Sequence, residues 1–297
     1  MTVSKSYLSK AFVPELNMLV YVAETKYLLQ EQVKRLALMP PATLSLGQAS
    51  MAAMLMQALH FKNAEAPRLE LQWHVESEIG NIYVESLKAF SFRATLQNPQ
   101  AYTNELSKKW KNGKFFVRRT YENAAPLQSI VESQGSVVLD VNEYLNVSEQ
   151  KNCRFNSSVL MTENKNTEDF FKVEQSLAYL IHFLPASTSG LRADEISKKQ
   201  ESWAKNIYVM GSMKEWALDG EGKDLNNCFL NFLCLNHPYH LEYHQEIKFY
   251  CPCSQERAER ALALLSEREK TYLLKKDQEN PELTCEYCGR KYNLSSI

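Results

Sequence analysis

The chain has 297 residues, of which 44% are hydrophobic and 23% charged, and its 34 basic side chains nearly balance 35 acidic ones. This length allows two or three folding units, and the near-zero net charge speaks against a nucleic-acid partner. No apolar run approaches the roughly 20 residues of a membrane-spanning helix, so we predict no membrane partner either. We therefore expect a cytoplasmic protein, in which clustered cysteines indicate a metal or redox site rather than a disulfide framework.

The first zone, residues 1–185, carries strand-like and helix-like patterns in succession. An apolar run at 16–23 predicts a buried strand, small apolar residues at helical spacing predict a helix over 44–59, and alternating polarity predicts a half-buried strand over 69–75. Shorter patterns predict strands at 82–84 and 115–117, a helix at 140–145 and a buried element at 177–184. Because the strands come in runs rather than alternating with helices, we predict an α+β core domain with mixed strands and helices.

A basic run at 108–114 contains the dipeptide Asn112-Gly113. Asn-Gly favours a tight turn between two antiparallel strands, so we predict a hairpin tip here, with Trp110 and Phe115 in the flanking strands. The lysines of the run then lie on a solvated turn and need no nucleic-acid partner.

The second zone, residues 186–250, predicts a helical linker. A first helix carries a sparse apolar stripe that includes Ile196 and Trp203, and a second begins near Leu225 and places Cys228 and Phe229 on one apolar face. Both helices offer apolar faces but find no obvious partner within the zone, so we expect them to pack on the core domain. Elements held in this way are metastable, because few contacts oppose their local opening.

Other histidines and cysteines give weaker signals. His237, His240 and His244 do not share a helical face, because a proline and a strand-like pattern at 241–249 intervene, so we predict an interdomain loop rather than a metal site. Cys228 is predicted to be a buried core cysteine. The chain has no Ser-His-Asp order, Gly-rich phosphate loop or H-E-x-x-H motif, so we predict that it is not an enzyme.

The third zone, residues 251–297, is too small to be stable on its apolar core alone. Ser254 predicts the start of a helix, and Ser266 with Glu269 forms a capping box for a second one. The zone also contains the pattern Cys-x-Cys, thirty-one residues, Cys-x-x-Cys-Gly, formed by Cys251, Cys253, Cys285 and Cys288. Two close pairs of thiolates supply the four tetrahedral ligands of a structural zinc ion, so we predict one Zn²⁺ per chain at these cysteines.

In these cysteines the chain resembles the redox-regulated 33-kDa heat-shock chaperone family, the 33 kDa chaperonin, a family of bacterial holdases. The resemblance is strongest over 249–292, including Cys251-Pro252-Cys253-Ser254-Gln255-Glu256-Arg257. It extends to the segment 142–150, which ends in Ser-Glu-Gln, to Leu46-Gly47 and to 177–185. It therefore covers nearly the whole chain, and the cysteine motif is its most specific part.

The resemblance implies a molecular chaperone that is inactive while it is reduced and zinc-loaded. Oxidation together with unfolding stress would expel zinc and form the disulfides Cys251–Cys253 and Cys285–Cys288. The linker would then unfold, and apolar surface on the core would hold unfolding client proteins without ATP. The resemblance also implies a monomer when reduced and a homodimer when oxidised. We predict a client-binding core domain at 1–185, a linker at 186–250 and a zinc-binding redox-switch domain at 251–297.

Three alternatives stay open. Pro252 fixes its own φ and biases Cys251 towards extended geometry, so a Cys251–Cys253 bond is expected to be strained and a different pairing is not excluded. The chain could also be a constitutive zinc-module interaction protein whose metal is purely structural. A thiol oxidoreductase is a third reading, which the absence of a βαβ context around Cys-x-x-Cys disfavours.

Overall fold

The computed structural model describes residues 5–61, 66–103, 109–163, 170–185, 192–209, 225–235, 237–270 and 282–293. Within these ranges the strands are β1 (Ser6–Val13), β2 (Met18–Glu24), β3 (Arg68–Val75), β4 (Ile82–Lys88), β5 (Ser91–Leu96), β6 (Gly113–Thr120), β7 (Leu127–Glu132), β8 (Cys153–Glu163), β9 (Phe171–Phe183), β10 (His240–Phe249), β11 (Glu282–Thr284) and β12 (Lys291–Asn293). The helices are α1 (Lys26–Leu36), α2 (Pro40–His60), α3 (Val137–Val147), α4 (Ala193–Val209), α5 (Leu225–Cys234), α6 (Gln255–Ala263) and a single turn, α7, at 267–270.

One sheet contains β1 to β10, in the order β7-β6-β3-β4-β5-β10-β1-β2-β9-β8. Its neighbouring strands are antiparallel except β10 and β5. These two meet in parallel over only two residue pairs, Lys248 with Ser91 and Phe249 with Phe92. The sheet therefore consists of two antiparallel halves joined through the end of β10. With helices on its faces, this architecture confirms the predicted α+β class.

The helix α2 lies at the centre of the main core. Its Ala, Leu and Met side chains make it apolar on every side, which is typical of a helix that is covered all round. It contacts β3, β4 and β5 of one half-sheet and β2, β8 and β9 of the other, so it packs the two halves together. Gly47 permits a close approach to α1, since an added Cβ atom would lie 2.7 Å from Cδ2 of Leu29.

The strand β2 is buried on both faces. Tyr21 and Ala23 belong to the main core, whereas Met18, Val20 and Val22 point to the opposite side. There they form a second core with residues of β1, the turn Pro14–Leu16, β9, α4 and α5, namely Ala11, Val13, Leu16, Leu177, Ile181, Phe183, Trp203, Phe229, Leu230, Phe232, Leu233 and Cys234. The two helices of the predicted linker thus cover an apolar face of the sheet.

Most sequence patterns in the first zone identified the correct elements. The predicted strands at 69–75, 82–84 and 115–117 correspond to β3, β4 and β6, and the predicted helices at 44–59 and 140–145 lie within α2 and α3. The buried element at 177–184 is the end of β9. The early strand begins at Met18 rather than residue 16, because Pro14–Leu16 form a 3₁₀ turn.

The hairpin predicted at Asn112-Gly113 is wrong. Gly113 begins β6, whose partners are β3 and β7. Trp110 lies outside any strand, and its backbone N–H donates to the carbonyl of Gly135 at 3.1 Å. The glycine serves a close approach instead. A Cβ atom at position 113 would lie 2.4 Å from the carbonyl oxygen of His74. Residues 104–108 of this neighbourhood lie outside the described ranges.

Two expectations for the second zone also need correction. His240 and His244 lie on β10 rather than in an interdomain loop. Cys228 is only partly buried, because α5 turns Phe229, Leu230 and Leu233 towards the sheet, and Cys234 is the buried cysteine of this helix.

The strand β10 falls inside the range predicted as linker, so that range is not helical throughout. The exact division into three domains stays a prediction, and 186–191 and 210–224 lie outside the described residues. No helix in the described part of the chain is long and apolar enough to cross a membrane.

Candidate metal centre

Two short structures bring the cysteine motifs together. The first motif begins one residue after β10 ends. Ser254 follows the motif and caps α6, with its hydroxyl accepting from the N–H of Arg257 at 3.2 Å. The second motif forms the tip of the β11–β12 hairpin, where the N–H of Gly289 donates to the carbonyl of Cys285 at 2.8 Å. The predicted capping box is also present, since the carboxylate of Glu269 accepts from the N–H of Ser266 at 2.9 Å.

The four motif cysteines form one cluster. The Sγ atoms of Cys251, Cys253, Cys285 and Cys288 all lie within 4.8 Å of one another. The Cys251–Cys285 and Cys253–Cys288 sulfur distances are 3.7 and 3.4 Å. Four sulfurs bound tetrahedrally at the usual Zn–S length would be separated by about 3.8 Å. The cluster could therefore hold a metal ion, and the spacing and the donor type fit zinc.

The thiol pKa values show the effect of crowding these sulfurs. Burial, followed by the neighbouring thiols, raises the pKa of Cys288 to about 12 and also raises that of Cys251. Burial opposes ionisation of Cys253 as well, but the nearby Tyr292 hydroxyl and the adjacent thiols lower its pKa to about 7. A divalent cation would overcome this resistance to ionisation, because coordination deprotonates thiols outright. The donor set is thus suited to a cation and ill suited to four free thiolates.

The hairpin tip is seated on the core sheet. The hydroxyl of Thr95 in β5 donates to the carbonyl of Glu286 at 2.8 Å. Gly289 has a left-handed φ of 69°, and a Cβ atom there would lie 2.4 Å from the carbonyl oxygen of Arg35. The glycine after the second motif is therefore required both for its turn and for its contact with the end of α1.

A second functional candidate is the surface under the linker helices. Asn226 of α5 is buried, and its Nδ2 donates to the carbonyls of Tyr7 at 3.1 Å and Val22 at 3.3 Å. Its Oδ1 accepts from the hydroxyl of Ser9, which also lies 2.8 Å from Nδ1 of His244. We call the sheet face covered by α4 and α5 the linker seat. Asn226 of α5 binds at the edge of this face. The apolar face of α5 was visible in the sequence, but Asn226 gave no signal.

The three histidines for which no metal site was predicted are not part of the cysteine cluster. His237, His240 and His244 do not form a metal-ligand group with one another within the described ranges. His237 instead contacts Glu15, with 2.9 Å between Nδ1 and Oε2.

Comparison with known proteins assigns nearly the whole chain to one family. The sequence profile of the family described as Hsp33 protein matches residues 6–295. The chain belongs to the Hsp33 family. Relatives of this family named 33 kDa chaperonin include one from Aquifex aeolicus, 25% identical over 93% of this chain and 82% of its own. Another, from Streptococcus pneumoniae, is 26% identical over 99% of this chain and 93% of its own.

A solved Hsp33 homologue supports the fold. The crystal structure of the 33 kDa chaperonin from Thermotoga maritima superimposes with a TM-score of 0.80, covering 98% of this chain and 95% of that one at 22% identity. At this identity the likeness concerns the arrangement of the strands and helices.

Proposed function

We propose that this Hsp33-family protein is a redox-regulated, ATP-independent holdase that binds unfolding proteins under oxidative stress. The observation that carries the proposal is the second core, in which α4 and α5 cover apolar side chains of β1, β2 and β9. Their release would expose residues such as Val20, Val22 and Ile181, all of which are fully buried. Exposed apolar surface of this kind is what binds unfolded chains.

In the reduced protein, Cys251, Cys253, Cys285 and Cys288 would hold one zinc ion. The ion would supply cross-links for a module with little core of its own, since Ala258 and Leu262 are the side chains that α6 buries. Cys251 follows the end of β10 after one residue, and β10 follows α5 in the chain, which supports a mechanical connection between the cysteines and the linker helices. We propose that a change at the cysteines would reach the linker helices through β10.

Oxidation of the cysteines would reverse this state. Forming each disulfide from two zinc-bound thiolates releases two electrons, which together with two protons from the solvent reduce one hydrogen peroxide to two molecules of water. Every disulfide also removes two ligands, so the module loses the cross-links that keep it folded. We propose that the linker helices then leave their seat, that the exposed surface binds clients, and that two oxidised chains form a homodimer in the cytoplasm. No enzymatic reaction is part of this proposal.

The resemblance supports the disulfides Cys251–Cys253 and Cys285–Cys288. Pro252 supports a competing pairing across the motifs, because it restrains the chain between Cys251 and Cys253. The short Cys251–Cys285 and Cys253–Cys288 distances are compatible with that competing pairing, but they also follow from ligation of one ion. We adopt the pairing within each motif and treat the other as the alternative that peptide mapping distinguishes.

The decisive experiment compares reduced, zinc-loaded protein with protein treated with warm peroxide. A thermally unfolding client is monitored by light scattering, while zinc release and thiol loss are titrated in parallel. We expect protection by the oxidised form alone, with one zinc released and four thiols lost per chain.

A Cys228→Ser variant is the matched control, because this cysteine lies outside the cluster and should leave switching intact. Equal protection by both forms would favour a constitutive zinc-module interaction protein. Turnover of a dithiol substrate would instead favour an oxidoreductase.

A further inference from the structure

Arg93 of β5 contacts both cysteine motifs. Its Nη1 lies 4.0 Å from Sγ of Cys251 in the first motif. Its guanidinium also lies over the ring of Tyr287, between the cysteines of the second motif, with Cζ 4.0 Å from the ring centroid. One side chain of the core sheet thus contacts the two motifs where they meet.

Glu85 of β4 fixes the orientation of this arginine. One carboxylate oxygen accepts from Nη2 of Arg93 at 2.8 Å and from Nε at 3.2 Å. The other oxygen accepts from the hydroxyl of Tyr287 at 3.3 Å. Both charged side chains are 16% exposed, so neither is free to reorient in water. Glu85, Arg93 and Tyr287 form a closed set that joins the sheet to the second motif.

The chemistry of the cysteine centre explains why a cation is useful at this place. Four thiolates around a divalent ion leave excess negative charge, which a partly buried site must offset. A guanidinium beside Cys251 supplies positive charge, and its N–H groups are donors that sulfur accepts weakly. Partners outside the ligand shell also fix ligand orientation, which is how they alter the affinity for a metal.

We infer that Arg93 is a positioning residue of the cysteine centre, which holds both motifs against β4 and β5 and slows the loss of the metal. The inference rests on the proposed binding of zinc by the four cysteines. On this inference the cysteine centre does not act independently of the core domain, because Arg93 of the core sheet affects how fast the metal is lost.

The test uses the full-length, reduced and zinc-loaded protein. Metal release to a chromogenic chelator is followed for the wild type, Arg93→Met and Arg93→Lys. Arg118→Met is the matched control, since Arg118 lies in β6, three strands away from β5 in the sheet, and pairs with a carboxylate, that of Glu70. We expect release about tenfold faster in Arg93→Met, a smaller increase in Arg93→Lys, and the wild-type rate in Arg118→Met.

A spectroscopic measurement separates positioning from general destabilisation. In cobalt-substituted protein the thiolate charge-transfer and ligand-field bands report the geometry of the four sulfurs, and we expect them to shift in Arg93→Met and not in Arg118→Met. Wild-type release and an unchanged spectrum in Arg93→Met would overturn the inference. A wild-type protein that binds neither metal would instead overturn the proposed metal centre itself, and the inference with it.

A second pair of variants keeps the test valid if Arg93→Met lowers the melting temperature of the core. Tyr287→Leu removes the ring that Arg93 stacks on, whereas Tyr287→Phe keeps the ring, and neither changes the sheet. We expect faster metal release from Tyr287→Leu than from Tyr287→Phe. Equal rates in these two variants would contradict the role of the stacked arginine.

Discussion

The indole N–H of Trp203 in α4 donates to the carbonyl oxygen of Leu233 in α5 at 2.7 Å. The bond joins the two linker helices, and it satisfies one of the last carbonyls of α5, which have no partner within their own helix. Trp203 is buried and also packs its ring against Phe183 of β9, with the centroids 5.7 Å apart. The helices therefore stabilise one another as well as the sheet beneath them.

The first prediction concerns this bond. Trp203→Phe keeps an aromatic ring but leaves the buried Leu233 carbonyl without its donor, which costs about 1–3 kcal/mol. We expect faster hydrogen exchange in α4 and α5, and measurable holdase activity in the reduced, zinc-loaded protein. Lys199→Ala, on the exposed side of α4, should change neither property. Exchange rates in Trp203→Phe that match the wild type would show that the bond does not hold the linker.

A second prediction addresses Asn226 at the edge of the linker seat. Asn226→Asp replaces the Nδ2 donor to the Tyr7 and Val22 carbonyls with a carboxylate oxygen, so a buried charge then faces these two acceptors. We expect a loss of at least about 2 kcal/mol in the stability of the seated linker, with protection of a client before any oxidation.

The control for that variant is Asn231→Ala, an exposed residue of the same helix that accepts from the Tyr239 hydroxyl. Light scattering of a warm client, without peroxide, compares the two. If Asn226→Asp protects the client only after oxidation, the buried amide has no part in keeping the linker helices on the sheet.

The sequence predicted those parts of the cysteine centre that depend on neighbouring residues. The two cysteine pairs, the Ser254 cap and the capping box at Ser266 each follow from local spacing. Arg93 could not be found in this way, because 158 positions separate it from Cys251 and its role arises only when β5 meets the end of β10. The error at Asn112-Gly113 has the same origin, since the partners of β6 are chosen by the sheet and not by the turn residues.

The third prediction tests the restraint at Pro252. Pro252→Ala frees φ at this position and admits Cys251 to more compact conformations, so the Cys251–Cys253 bond should form more readily. Under peroxide we expect the thiols of Cys251 and Cys253 to be lost faster than in the wild type. We also expect this disulfide to make up a larger share of the peptide map. Pro238→Ala, at a proline outside the motif, should oxidise as the wild type does. A map dominated by Cys251–Cys285 in both proteins would establish pairing across the motifs.

The fourth prediction is a dependence of stability on pH through His182 of β9. Burial, reinforced by the positive charges of Lys151, His60 and Lys10, lowers the pKa of His182 to about 4. The unfolded chain binds this proton near pH 6.5, so the folded state binds it less readily. The stability linked to neutral His182 is therefore complete above about pH 6.5 and is lost as the pH falls towards 4.

His182→Gln removes this contribution, so its free energy of unfolding should fall less than that of the wild type between pH 7 and pH 4. Because the imidazole is only partly buried, we expect a difference of roughly 1–2 kcal/mol rather than the full value of the shift. Urea unfolding of chelator-treated, reduced protein at several pH values measures it without interference from the metal. His74→Gln, on the exposed side of β3, should follow the wild-type curve, and parallel curves for all three proteins would contradict the assignment to His182.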